Sequence, residues 1–527
     1  SLKAAAMVMQ IQKQFSVEIP IAEVFLNPTI QALVQWIESA DEQEQIQIEK
    51  AELRLHYPVS SAQKRLYLLQ EMDPEAIVYN IPFALKIKGD LNVSGLKKAV
   101  GKLMERHEAL RTTFEVRKGQ PVQIIHDRLP LEIEEKQVPE EALETILESF
   151  VQPFDLQKGP LFRISLLGIN PEESILFFDM HHIITDGVST GIFIKELSAL
   201  LREDSLDQPE LQYKDFSEWQ RGYKQSGEYV IEREYWKQKF EEETPELNLP
   251  TDFSRPAKRS FKGDRLFFNL DENISTQVEA YCQKRELTPF MFFLGQFSML
   301  LSKLANESDI TIGCPIAARP SAETQGTFGM FVNTLPLRNK VEQGQPVKAF
   351  LDEVKANSLT AFQHQHFPFE ELLNQLELNR SLSRNPLFDC VFVYQNMEMD
   401  ISDLQIGTTE IEKFPLKNTT AKFDLTLDGS KQKDGFVFSI EYNSDLFKEA
   451  TVECFYRMFE GLISQSLNDD EQAVYELSIL DEVESMVLDS FVADPSAYLT
   501  NTRLDQLFES QVQKHSEATA LIFGKES

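Results

Sequence analysis

The sequence predicts an α/β protein built from two related lobes, and three observations carry that expectation. Segments of helical and strand character alternate twice along the chain, in a similar order each time. The strand-like segments come in long runs that read as antiparallel hairpins, such as LFRISLLGI followed by SILFFDMHH. The 527 residues are too many for one hydrophobic core, while 42% hydrophobic residues, including 38 phenylalanines, are ample for more than one.

The elements follow in chain order. Residues 1–40 read as a helical remnant: LKAAAMVMQIQKQF carries apolar residues at helical spacing, and IPIAEVF and TIQALVQWIESA predict two more short helices. Forty residues do not easily hold themselves up. Residues 41–56, DEQEQIQIEKAELRLH, are charged, lack turn residues and read as a linker. From Tyr57 the texture is mixed. Leu96 to Phe114 reads as an amphipathic helix running into a strand, VQIIH as a strand, and PEEALETILESFVQPF as a helix. The hairpin-like pair of strands then closes a first lobe at about 57–237. The second lobe, about 238–480, repeats the order. A helix pair spans Ile274 to Leu304, DITIGCPIA is a strand, PVKAFLDEVKANSLTAFQHQ a helix, and NPLFDCVFVYQN with FDLTLDGSKQKDGFVFSIEYNSDLF are strands. Residues 481–502 read as a linker. Residues 503–527 form an amphipathic helix leading into an apolar strand that closes no domain.

Composition excludes some classes of function. The formal charge of -32 repels a nucleic-acid backbone or an anionic membrane. Cys282, Cys314, Cys390 and Cys454 are far apart, which fits isolated thiols in a reducing compartment better than a disulfide framework or a zinc site. No apolar run is long enough to span a bilayer. The chain begins at Ser1 with no leader-like segment after it, so a soluble, cytoplasmic piece of a longer protein is expected.

The chemistry concentrates in Ile175 to Leu201, ILFFDMHHIITDGVSTGIFIKELSALL. Neighbouring side chains of a strand face opposite ways, so one of His181 and His182 can look into a cavity while the other is held in packing. Asp186 sits in the turn, close enough to bond a ring nitrogen or a nearby arginine. Gly187 lets the backbone come close to a ligand or turn sharply. The helix that follows starts at the turn and favours negative charge there. A histidine so placed is a candidate general base, although a buried histidine is more often structural. Two rival chemistries use the same stretch. His182 and Asp186 could ligate a metal, but no third ligand lies nearby. Gly187 to Gly191 also reads GxSxG, yet Ile183 to Asp186 separate Ser189 from the strand, unlike a hydrolase elbow.

Other residues stand out. Arg65 lies among apolar neighbours in SSAQKRLYLL and needs a carboxylate, for which Asp186 is a candidate. Arg106, His107 and Arg111 fall at a helix end and read as structural. Asn333 sits in the apolar run FGMFVNTLPLR, where an amide must find partners. His364 and His366 read as packing before Pro368.

In this order, SSAQKRLYLL with YNIP, RHEALRTTF, MHHIITDGVS, YKDFSEWQ, IGCPIAARP with GMFVNTLPLR, HQHFPFEELL and RSLSRNPLFDCVFVYQN resemble the condensation domain of nonribosomal peptide synthetases across Tyr57 to Leu480. The resemblance implies two chloramphenicol-acetyltransferase-like lobes in a V. Residues 1–40 resemble the second half of a peptidyl carrier domain, with Ser1 as the attachment site of 4'-phosphopantetheine. The tail from Arg503 resembles the start of an adenylation domain. The implied reaction is attack of a downstream carrier-bound amine on an upstream carrier-bound thioester, with no metal. The implied partners are the two carrier domains and the adjacent adenylation domain. His182 matches the family's principal catalytic position. His181 and Asp186 match structural positions, with Asp186 paired to Arg65, and Gly187 matches a place where the pantetheine tunnel needs an absent side chain. The motif wording favours an L-configured donor. An epimerization domain shares the fold and HHxxxDG and is the alternative, followed by a thioesterase-like hydrolase using Ser189.

Overall fold

The computed structural model describes residues 7–8, 10–11, 14–15, 17, 19, 23–24, 29–39, 46–89, 91–376, 381–395, 409–480, 482–491 and 503–519. Ser1, the expected attachment position, lies outside them. The chain divides into two compact units, Ser1–Leu477 and Ser478–Ser527.

Within the first unit, Val8, Ile19 and Val24 are buried together, with Ile11, Leu33, Trp36 and Ile37 packed against them. The last three come from the helix Ile30–Ser39.

A five-stranded sheet organises the first lobe. Its order is Glu410–Phe414, Asn80–Lys88, Glu173–His181, Phe162–Asn170, Ile133–Gln137, antiparallel except for the last pair. The central strand Glu173–His181 is buried along most of its length because the sheet is covered on both faces. Ile175 and Phe177 face one side with Leu143 and Leu147. Leu176, Phe178 and Met180 face the other, where the helices Ser61–Met72, Val93–Arg106 and Gly187–Leu201 supply Leu66, Leu103 and Phe193. This is period-two alternation with apolar residues on both faces.

The second lobe holds a six-stranded sheet in the order Val332–Lys340, Asp309–Ala317, Cys390–Gln395, Leu425–Gln432, Gly435–Asn443, Gly263–Asn269. Against it lies Pro289–Ala305, a helix buried all round from Phe290 to Ser302. Such a helix can only be the centre of a core. Phe293 meets Phe436 and Phe438 edge-on at 4.9 Å each. Among the described residues, no single helix is long and apolar enough to cross a membrane.

Two features depart from the chain-order reading. The strand Glu410–Phe414, assigned above to the second lobe, completes the first lobe's sheet, pairing Glu410 with Lys88 through Phe414 with Ala84. The open edge of Asn80–Lys88 needs a partner for its backbone groups, and this one comes from more than 300 residues away, where no local pattern announces it. Residues 481–502, read as a linker, contain the helix Glu482–Phe491. The ten residues of that helix contain no Gly or Pro to stop it; the first beyond it is Pro495.

Candidate active site

The strand Glu173–His181 ends at the first histidine, and the chain then turns through His182 to Thr185 before Gly187–Leu201 begins. The turn is held by Ile184 N–H donating to the His181 carbonyl at 3.1 Å and by His182 N–H donating to the Tyr79 carbonyl at 2.8 Å. Gln63 of the Ser61–Met72 helix donates its amide to the Ile183 carbonyl at 3.1 Å.

The two rings play different parts. His181 is fully buried. Its Nδ1 accepts from Ile183 N–H at 3.0 Å, and its Nε2 lies 3.3 Å from Gln70 Oε1. Both nitrogens are therefore spent, and burial pushes this histidine down to about 3. His182 is half-buried. Its Nδ1 lies 2.9 Å from the Thr185 carbonyl oxygen. A carbonyl can only accept, so Nδ1 carries the proton and Nε2 presents a lone pair. Burial, followed by the Lys422 ammonium, pushes His182 down to about 4, against the opposing pull of the Thr185 bond and Asp186. At neutral pH the ring is an unprotonated acceptor.

Asp186 is the N-cap of Gly187–Leu201. Its Oδ1 accepts from Ser189 N–H at 2.7 Å and its Oδ2 from Phe331 N–H at 3.0 Å. The Asp186–Arg65 pairing expected from the sequence is not formed. The carboxylate pairs instead with Arg319, 3.2 Å away and equally buried. Arg319 also donates to the Thr324 and Thr327 carbonyls at 2.5 and 2.6 Å and lies 4.0 Å over the Phe331 ring. Arg65 meets Glu370 at 3.6 Å and stands 5.5 Å over Phe369. The physical reason is depth. Asp186 is sealed inside and takes the arginine brought in by the second lobe's Asp309–Ala317 strand, whereas Arg65 remains partly exposed and finds a partner at the helix Phe369–Gln375.

Gly187 opens the helix at ordinary backbone angles, and a Cβ there would meet no atom within 4 Å. The glycine is exposed, borders open space and relieves no strain. Ser189 is buried, with its hydroxyl engaged by Gly329 O–C at 2.8 Å, Gly329 N–H at 3.0 Å and Arg319 at 3.1 Å. It sits in a helical first turn, bonded to no histidine, so the GxSxG pattern forms no nucleophile elbow. Asn333 donates to the Gln365 and Phe367 carbonyls and accepts from Phe369 N–H, all within 3.0 Å, which ties the HQHFPF loop to the sheet. His364 stacks on Tyr235 at 4.1 Å and His366 meets Trp219 edge-on. His107 and Arg106 both bind Glu196. Each of these side chains has protein partners; the sequence setting of Asn333 left both a structural and a substrate-facing role open.

Sequence reasoning missed two residues. Arg319 lies within the motif IGCPIAARP, where a lone arginine beside an apolar run signals a buried partner. Lys422 stands in AKFDLTL and has no such signal. Among the described residues, no group of three or more His, Cys, Asp or Glu side chains could hold a metal ion.

Fold and site together define a two-lobed α/β scaffold whose central strand ends in a histidine pair, the first ring spent in packing and the second presenting an acceptor nitrogen. Residues 54–488 match the condensation-domain family, and residues 1–37 match the phosphopantetheine attachment site family. Tyrocidine synthase 3 of Brevibacillus parabrevis is 40% identical over 523 residues, covering 99% of this chain and 8% of the relative. Surfactin synthase subunit 1 of Bacillus subtilis is 38% identical over 528 residues, covering 100% and 15%. The chain thus spans a small fraction of the length of these relatives. Among solved structures, a four-domain nonribosomal peptide synthetase bound to AMP and glycine superposes with a TM-score of 0.75 at 22% identity, over 84% of this chain and 35% of that one. The first condensation domain of the calcium-dependent antibiotic synthetase gives 0.68 at 17%, over 82% and 100%. The chain belongs to the condensation-domain family of nonribosomal peptide synthetases, which are amide-forming acyltransferases, and its own residues 1–37 belong to the type of carrier segment that bears 4'-phosphopantetheine covalently.

Proposed function

We propose that this chain forms peptide bonds between two carrier-bound substrates, and that an upstream carrier presents an L-configured aminoacyl or peptidyl donor. The phosphopantetheine arm, when loaded, supplies an already activated thioester, so no covalent enzyme intermediate is needed. The acceptor amine forms the new C–N bond, the C–S bond breaks, and one proton passes from nitrogen to the departing sulfur.

The observation that carries this reading is the His182 tautomer. Nδ1 is fixed on the Thr185 carbonyl, so Nε2 is left to accept from an amine. An imidazole pushed down to about 4 is a poor base toward an ammonium ion. A free α-amine ordinarily titrates at about 7.7–8.0, so at neutral pH a minority of the acceptor is neutral, and that fraction is the one that reacts. His182 orients it and takes its proton as bonding to carbon makes the nitrogen acidic. The same ring then returns that proton to the thiolate. Holding both reactants in place can lower the barrier by up to about 7–11 kcal/mol. The open space at Gly187 admits a slender arm.

The partners of this reaction are an upstream and a downstream carrier domain, with an adenylation domain following residue 503. Four cysteines kept as thiols fit a cytoplasmic setting. The test is to supply defined aminoacyl-pantetheine donors and acceptors and identify the product by mass spectrometry. A dipeptidyl thioester from the wild type, lowered about 10²–10⁴-fold in His182→Ala, supports the reading. An epimerised donor with no new amide supports the epimerization alternative. Near-normal turnover in His182→Ala defeats the role given to the ring.

A further inference from the structure

The helix Tyr213–Tyr223 carries the motif YKDFSEWQ, and the chain ahead of the first lobe lies against it. Ala51 N–H donates to Asp215 Oδ1 at 2.8 Å. Asp215 is buried, and its Oδ2 accepts from Gln212 N–H at 2.7 Å, which caps the helix. Arg54 donates to Glu218, a turn further along, at 2.8 Å. The Arg54 N–H donates to the Tyr57 hydroxyl at 2.9 Å, and that hydroxyl donates to the Glu52 carbonyl at 3.2 Å. Tyr57 is itself buried, with the Lys214 ammonium 5.3 Å over its ring, and it pairs with Gln123 of the strand Gln120–Ile125. Residues 46–56, read above as part of a charged linker, thus form no helix or strand and are nevertheless held in place. Leu53 and Leu55 stay 94% and 85% exposed, so the hold is polar and rests chiefly on one buried carboxylate and one ion pair.

We infer, resting on the peptide-forming reading above, that this helix is the docking surface for the linker from the upstream carrier, and that Asp215 fixes the point from which the carrier swings. The last described helix of the carrier segment ends at Ser39. From Ser39 to Ala51 is 12 residues, and from Ser39 to Tyr57 is 18. At about 3.5 Å per residue, an extended tether reaches roughly 40 Å from a docked Ala51 and roughly 60 Å from Tyr57 once the strap is released. Effective concentration falls at least as the three-halves power of tether length, so docking raises it by about two-fold or more. The ion pair adds little to the hold, because Arg54 is 43% exposed. The bond from Ala51 N–H to the buried carboxylate is charge-assisted and sheltered, and it is the contact whose loss frees the strap.

The test uses three variants. Ala51→Pro removes the N–H that Asp215 accepts and leaves the helix untouched. Asp215→Ala removes the acceptor, and Ala51→Gly keeps the N–H. Trypsin cutting after Arg54 reports release, since cleavage of a locally opened segment follows its open population. Cutting should be about ten-fold faster or more in Ala51→Pro and Asp215→Ala, as for loss of a hydrogen bond to a charged group, and near the wild-type rate in Ala51→Gly. Thermal melting checks that the variants fold. Wild-type cutting in folded Ala51→Pro, or equally fast cutting in Ala51→Gly, overturns the docking. Peptide formation is then followed with the donor loaded on the upstream carrier of the intact synthetase, and separately with a soluble aminoacyl-pantetheine donor. Ala51→Pro should slow the first by about two-fold or more and leave the second unchanged. No slowing of the first, or equal slowing of both, overturns the tether role. Protection from trypsin needs no turnover. Absence of peptide product in the wild type would therefore count against the reaction and not against the strap.

Discussion

Removing the Asp186 carboxylate is the sharpest perturbation available. In Asp186→Ala the Arg319 guanidinium stays buried without its counter-ion. Breaking a buried pair by deleting one partner costs about 3–5 kcal/mol. The N-cap bond to Ser189 N–H at 2.7 Å is lost as well, a further ~1 kcal/mol. Phe331 N–H, which donates to Oδ2 at 3.0 Å, is orphaned in the interior at a cost of about 1–3 kcal/mol. These losses share one site and are not additive, so a total near ~5 kcal/mol is expected. Asp186→Asn keeps the shape and one acceptor oxygen and should lose roughly half of that. The assay is urea unfolding of both variants, of Arg319→Ala and of the double variant. Strong coupling in that cycle is expected, with the double variant less damaged than the two single losses summed. A loss below about 2 kcal/mol in Asp186→Ala, or no coupling with Arg319, would refute the reasoning.

Ser189→Ala should retain peptide formation per folded molecule while losing about 1–3 kcal/mol of stability, because Gly329 and Arg319 lose a shared partner; loss of turnover in well-folded protein would revive the hydrolase alternative. Gly187→Leu should fold as well as the wild type, since its Cβ meets nothing, and yet lose peptide formation by obstructing the path to His182. Unaltered kinetics would show that the open space carries no substrate. Glu232 is buried against Phe367 N–H and is pushed up to about 7 by burial. Its folded value lies above its unfolded one, so its contribution is full in acid and is lost as pH rises to about 7. Glu232→Gln should therefore gain on the wild type by about 1.4 kcal/mol per pH unit between roughly pH 4.5 and 7, measured by unfolding at a series of pH values.

Much of this was legible in the residues. The alternation of Ile175, Phe177 against Leu176, Phe178 marked a strand buried on both faces, and the His-His-x-x-x-Asp-Gly turn marked the site. Division of labour between the two histidines followed from strand geometry, though the strand stops at His181 and a turn, not a second strand face, sets His182 apart. What escaped was long-range. The sequence holds several arginines able to neutralise Asp186, and only the depth of Arg319 selects among them. The edge strand Glu410–Phe414 carries a pattern any exposed strand could show, and its place depends on which edge is open after the rest has folded. Lys422 looks like a solvated lysine until Tyr79 is brought beneath it.

The crossing of Glu410–Phe414 into the first sheet has a practical corollary for anyone recombining such proteins. A chimera joined near residue 237 would take a foreign edge strand, a foreign guanidinium for Asp186 and a foreign ammonium over Tyr79, all at once. The halves are legible as separate in the chain but are stitched together in space, so grafts should exchange them whole, as one inheritance.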